Sequence, residues 1–337
     1  MLAGLLCLAS PALADDDKPT LNIDFQTRVS YLNDRVDHNI RHETSGFKGD
    51  YLMLSVSGQL NSRFSYAWRQ RINQKKETND RFDGTDWVYI DYKINPHWSV
   101  AAGKQVALVG GYEYDRSPLD IYISSEFWNN IAPFQFGASA SYTTTNGKSR
   151  FSAQVTQSLY NTPENRDMLA YHLHWAGNYG WFNTLYSLNM IEYVPKHFIS
   201  YVALGSKFNV GNASLELDFM NRAASHQTFL FKDCSVMARL DYRLMPQLGL
   251  YGKFTYDVNR TDTDADRSVM AGTEVTAYGG GVEYYPLKGK RELRLSLGMS
   301  HSTGTNSNPA GAINDNQTTV RMALVAKLNL LSWKSKK

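Results

Sequence analysis

The stretch Thr319-Val320-Arg321-Met322-Ala323-Leu324-Val325-Ala326-Lys327-Leu328-Asn329-Leu330 decides the fold. Val320, Met322, Leu324, Ala326, Leu328 and Leu330 fall on one parity, and Thr319, Arg321, Ala323, Lys327 and Asn329 on the other. Successive side chains of a β-strand point to opposite faces, so this is a strand with one apolar and one polar face. The beginning of the chain repeats the pattern. Leu21, Ile23, Phe25, Val29 and Tyr31 alternate with Asn22, Asp24, Gln26, Arg28 and Ser30. Between these two ends lie further segments of the same kind, about sixteen in all, among them Leu52-Leu54-Val56, Val88-Ile90-Tyr92-Ile94 and Leu293-Leu295-Leu297-Met299, quoted by their apolar positions.

The connections alternate in length. Short turns rich in Gly, Asn or Pro, such as Asn95-Pro96-His97 and Asn146-Gly147, interleave with longer polar stretches near residues 33–50, 74–84, 105–131, 161–167, 223–231, 259–272 and 302–317. Around Val194 to His197 a connection is short where a long one is due, and Gly279-Gly280-Gly281 is expected to be a bulge that bends its strand. Short turns at one end and long loops at the other describe an outer-membrane β-barrel with both termini in the periplasm. In hydrocarbon an unpaired backbone group costs several kcal/mol, so such a sheet has to close on itself.

Composition agrees. The 337 residues carry 21 Tyr, 15 Phe and 7 Trp, yet mean hydropathy is negative, because two opposite faces are being averaged. The mature chain has no run of roughly 18 apolar residues that a membrane helix would need. A net charge of +3 gives no reason to expect a nucleic-acid partner. Residues 1–14 read as a cleaved signal peptide. An apolar run from Leu2 leads to Ala12-Leu13-Ala14 and then Asp15-Asp16-Asp17, without the basic residues that usually precede such a run. Residues 15–337 are then one barrel domain, exported to a Gram-negative outer membrane and contacting its lipid and lipopolysaccharide. Cys234 is the one cysteine left after cleavage, so neither an internal disulfide nor a cysteine metal site is available.

If the apolar face meets lipid, the polar face lines a water-filled pore. The basic pore-lining candidates are Arg28, Arg63, Arg69, Arg71, Arg321 and Lys327, which strand order gathers on one wall. The connection over residues 106–130 has apolar content that bulk water would not reward (Leu108, Ile121, Ile123, Phe127, Trp128) and is acidic. It is expected to fold inward as a constriction loop whose charged residues are Lys104, Glu113, Asp115, Arg116, Asp120 and Glu126. An acidic loop opposite a basic wall sets up a transverse field that passes small polar solutes and hinders bulky apolar ones.

Gly103-Lys104-Gln105, closing the fifth strand, and Gly110-Gly111-Tyr112-Glu113-Tyr114-Asp115 resemble the phosphate-selective porin O/P family and its Bacteroidetes-type relatives. The resemblance implies a homotrimer of sixteen-stranded channels with an inward third loop, passing small polar solutes or anions. Two departures stand out. The family's inward loop concentrates arginine and lysine where this one is acidic, and this chain runs past Trp333 to Lys337. No enzyme is expected, since no G-x-S-x-G surrounds any serine. No cofactor or metal is expected either. His172 and His174 share the lumen face but lack further ligands, and Asp262, Asp264 and Asp266 lack the Gly and Glu of a calcium loop, reading instead as solvated. Two functional classes follow, a passive diffusion channel with a weak anion preference and a closed barrel for surface display, binding or assembly.

Overall fold

The computed structural model describes residues 18–73, 82–162, 164–227 and 229–335; the signal-peptide expectation for residues 1–14 lies outside them. Seventeen strands form one closed antiparallel sheet. They are β1 (Thr20–Val36), β2 (Asn39–Ile40), β3 (Gly46–Gln59), β4 (Phe64–Arg71), β5 (Thr85–Lys93), β6 (Trp98–Val106), β7 (Phe134–Thr143), β8 (Ser149–Gln157) and β9 (Leu169–Asn178), continuing with β10 (Phe182–Val194), β11 (His197–Val210), β12 (Ala213–Ala224), β13 (Asp233–Met245), β14 (Leu248–Asn259), β15 (Glu274–Tyr284), β16 (Leu293–Thr305) and β17 (Gln317–Lys334). β2 pairs only at the tip of β1, so sixteen strands make the wall. The first and last strands close it in a ladder from Thr20↔Lys334 to Val36↔Gln317. No helix among the described residues is long and apolar enough to cross a membrane.

Parity decides what each face meets. Leu173, Leu188, Leu240, Leu297 and Met322 stand exposed on the outside, where lipid replaces water. Trp98 with Tyr142, and Trp181 with Phe182 and Phe208, cluster beside the short turns, at the level of an interfacial aromatic belt. The buried apolar core lies inside the barrel. Val109, Tyr114, Phe127 and Ile131 of the third long loop pack against Tyr160, Tyr201, Met220 and Ala224.

The triple glycine departs from the sequence expectation. β15 runs through Gly279, Gly280 and Gly281 with unbroken register to both neighbours, so there is no bulge. The glycines make room instead. A Cβ on Gly281 would lie 2.7 Å from the Tyr251 hydroxyl, and one on Gly279 would lie 3.0 Å from Ile123 Cδ1 of the third loop.

Candidate constriction site

The third long loop leaves β6 at Val106 and rejoins the wall at Phe134, and in between it crosses the lumen. Its first part lies along β8 to β12. Leu108 N donates to Gln154 Oε1 at 2.8 Å, Gly110 N to Ser187 Oγ at 2.8 Å, and Tyr112 N and Glu113 N to the Asp218 carboxylate at 2.8 and 2.7 Å. Gly110 and Gly205 are required for this approach, and Gly111 for its backbone angle, φ +109°. A Cβ on Gly110 would lie 2.6 Å from Leu185 O, and one on the facing Gly205 would lie 2.7 Å from Gly111 Cα.

The middle of the loop lands on the opposite wall. A short 3-10 turn, Pro118–Asp120, presents its carbonyls to Arg28 on β1, whose guanidinium donates to Pro118 O, Leu119 O and Ile121 O at 3.0, 3.3 and 2.7 Å. Asp120 accepts from Arg294 on β16 at 2.5 Å and from Lys327 on β17 at 2.7 Å. Burial alone would raise the Asp120 carboxyl, but these two cations hold it well below the usual carboxylate range. Leu119 is fully buried against Met53 and Val325. Burying such a side chain contributes about 2 kcal/mol.

The return segment ends in α1 (Glu126–Asn130), whose Glu126 N donates to Asp257 at 2.8 Å. Glu113 bonds Lys253 and Ser125, Arg116 bonds Glu216, and the Glu126 carboxylate accepts from Asn130 at 2.7 Å. Burial pushes the Asp115 carboxyl up to about 6. The loop therefore does not face the wall across a gap, as the sequence reading expects. Asp120 and Glu113 are in contact with wall cations, so the loop's acidity is largely consumed in docking it.

The wall of β1, β3, β4, β5 and β17 keeps a charged cluster of its own. Arg28 pairs with Asp50 at 2.8 Å, while Arg69 and Arg71 share Asp86 at 2.7 and 3.0 Å. Arg321 forms no ion pair among the described residues, and its Nε is buried without a hydrogen-bond partner. Four guanidinium groups thus meet two carboxylates. Aromatic faces support them, with Arg69 3.5 Å from the Trp87 ring centre and Tyr51 between Arg28 and Arg71 at 4.9 and 5.6 Å.

Asp50 and Asp86 were not legible from alternation, and the reason is geometric. The ladder passes from Arg28↔Tyr51 to Val29↔Gly49, skipping Asp50, and from Arg69↔Trp87 to Gln70↔Thr85, skipping Asp86. Each carboxylate is the extra residue of a bulge, which re-aims a side chain beside the arginine it pairs with.

Two candidates lie elsewhere. Arg63 is exposed in the turn before β4: its parity is right, but the strand has not begun. Lys104 shares the outward parity of Val88 and Phe136, its Nζ donating to Phe82 O at 2.9 Å, because Gly103 and Gln105 take the alternate face. The calcium-like loop also differs from its solvated expectation. Asp262 and Asp264 are exposed, but Asp266 is buried, pairing with Arg222 at 2.6 Å and accepting from the Tyr160 hydroxyl at 2.7 Å. His172 and His174 are buried in the lumen, with His172 between Thr156 and Asn189. Among the described residues no three metal-ligating side chains gather.

The model of the family described as phosphate-selective porin O and P matches residues 21–187, about half the chain and all of the segment that carries the loop and the arginine wall except Arg321 and Lys327. The chain belongs to this porin family. Solved porins share its barrel. OmpT of Vibrio cholerae superposes with a TM-score of 0.63 at 12% identity, covering 94% of this chain and 99% of its own. The anion-selective porin from Comamonas acidovorans gives 0.62 at 11%, covering 92% and 98%. The outer-membrane channel DcaP of Acinetobacter baumannii gives 0.61 at 12%, covering 92% and 97%. No curated protein matches the chain. The porin is an outer-membrane channel.

Proposed function

We propose that this porin is a passive diffusion channel for small hydrophilic solutes and ions with a weak preference for anions, working as a homotrimer. One observation carries the preference: in the cluster of Arg28, Arg69, Arg71 and Arg321, four arginines meet two carboxylates, Asp50 and Asp86, and Arg321 has no ion-pair partner among the described residues. In a narrow, low-dielectric passage an uncompensated cation raises the local concentration of anions and lowers that of cations. Loop charges that are already paired contribute little to this balance. The printed name of the Comamonas relative, an anion-selective porin, supports the reading, and the trimer form of Vibrio OmpT supports the assembly.

Reversal potentials across planar bilayers in asymmetric potassium chloride test it. The wild type should show a chloride-to-potassium permeability ratio above one, and Arg321→Gln combined with Arg71→Gln should bring that ratio close to one at similar conductance. Equal permeability in the wild type, or a ratio untouched by the double variant, overturns the reading. A folded barrel that never conducts would favour the display alternative instead.

A further inference from the structure

The outer wall is not uniform. Between β5 and β11 it carries an open apolar depression of about 1050 Å³. The floor is made of small residues, Ala102 on β6, Ala138 and Ala140 on β7 and Ala153 on β8, and the rim of bulky ones such as Ile90 and Leu173. Ile90 and Leu173 are 52% and 59% exposed.

The same sector is also the low part of the wall. β4 to β9 have eight to ten residues each, whereas β10 to β17 have eleven to eighteen and β1 and β3 have seventeen and fourteen. Nine residues at about 3.3 Å each, tilted about 45°, rise about 21 Å, short of the roughly 25 Å apolar band of an outer-membrane barrel. Lipid against this face would have to thin. A second protein surface would not, and small side chains let two backbones approach closely without hydrocarbon between them.

We propose that this face, centred on Ala138 and Ala140, is where a second copy of this chain docks, so that in the homotrimer it points toward the symmetry axis. Six strands at about 4.8 Å spacing and about 30 Å length present about 850 Å², comparable with the roughly 800 Å² that a standard interface takes from each partner. The contact in a three-fold ring is heterologous, so the rim of one copy meets the floor of the next. The opposite wall, β12 to β17, is tall enough for the whole apolar band and faces lipid.

This inference rests on the homotrimer reading, and the experiment separates the two. Folded protein in detergent is weighed by native mass spectrometry as wild type, as Ala138→Trp/Ala140→Trp, and as the far-wall control Leu240→Trp/Leu295→Trp. Tryptophan is tolerated against lipid but not in a close-packed interface, so the barrel itself should fold, which heat-modifiable gel mobility checks. The expected result is trimers for wild type and control, and at least a tenfold loss of trimer for the alanine variant, with single-channel conductance retained. As a second measurement in a Cys234→Ser background, Ala140→Cys should give covalent dimers with a short bifunctional thiol reagent, and Leu240→Cys should not. Trimers that survive both tryptophan substitutions, with no cross-linking of the Ala140→Cys variant, overturn the placement. So does a variant that stays trimeric but loses co-purified lipid, which would make the depression a lipid seat. A wild type that is monomeric and conducts overturns the trimer reading itself.

Discussion

Replacing Asp120 by Asn should release the third loop from the wall, and the size of the effect follows from its contacts. The carboxylate accepts from Arg294 at 2.5 Å and Lys327 at 2.7 Å, and its side chain is 7% exposed. Its loss leaves Lys327 facing a neutral amide and Arg294 with Glu283 alone, at 3.3 Å. Breaking a buried pair from one side costs about 3 kcal/mol at the low end, and each 1.4 kcal/mol is tenfold in population. The undocked fraction of the loop tip should therefore rise by about two orders of magnitude. The Arg28 bonds to the loop carbonyls and the burial of Leu119 remain, so the barrel keeps its fold. Leu119 is fully buried, which makes it the reporter. In a Cys234→Ser, Leu119→Cys background, a small water-soluble thiol reagent should react roughly 100-fold faster when Asp120→Asn is present, and single-channel current should become noisier with a higher mean. A labelling rate within twofold of the parent, in a folded conducting channel, would refute the idea that this carboxylate holds the loop.

Two further tests probe the loop at other points. Burial pushes Asp115 up to about 6, above the 3.8 of an unperturbed aspartate, so docking of the loop is favoured below about pH 4 and weakens as pH rises through 6, where the group gains a negative charge. Anion preference should accordingly fall between pH 5 and 7, and Asp115→Asn should abolish that step in reversal-potential titrations; an identical step in the variant would rule Asp115 out as its source. Gly205→Ala would place a Cβ 2.7 Å from Gly111 Cα, an overpacking that costs about 1–3 kcal/mol and lifts the loop off β11 and β12. Its thermal transition should drop by several degrees and its current should show open substates, and an unaltered melting curve and current would contradict the close approach.

The barrel was legible because its information is local and repeated. Leu324 and Arg321 reveal their faces without any neighbour, and one face must be buried in something apolar for the pattern to persist. The inward loop was legible for a related reason, since Leu119, Ile121 and Phe127 have no use in bulk water. The finer architecture of the site resisted reading where it depends on register. Asp50 and Asp86 point at arginines because each is skipped by the ladder, an event that alternation cannot register. Arg63 and Lys104 show the converse. Arg63 keeps the parity of β4 but precedes its first residue, and Lys104, though next to the loop in sequence, points out of the barrel from β6. Gly279 to Gly281 suggest a bend because glycine's backbone freedom is visible in sequence. The Tyr251 hydroxyl against Gly281 and the Ile123 side chain against Gly279 are brought there only by a neighbouring strand and by the inward loop.

The way the loop tip is moored has a bearing on biogenesis. Pro118, Leu119 and Ile121 are held by Arg28 near the chain's beginning, and Asp120 is held by Lys327 near its end, so the tip straddles the seam where β1 meets β17. The Lys327 mooring, and the Val325 side chain against which Leu119 packs, do not exist until the final strand has been delivered. A barrel awaiting its last strand is thus also a barrel with an unfastened constriction, and the step that seals the sheet against the bilayer is the same step that sets the bore of the channel.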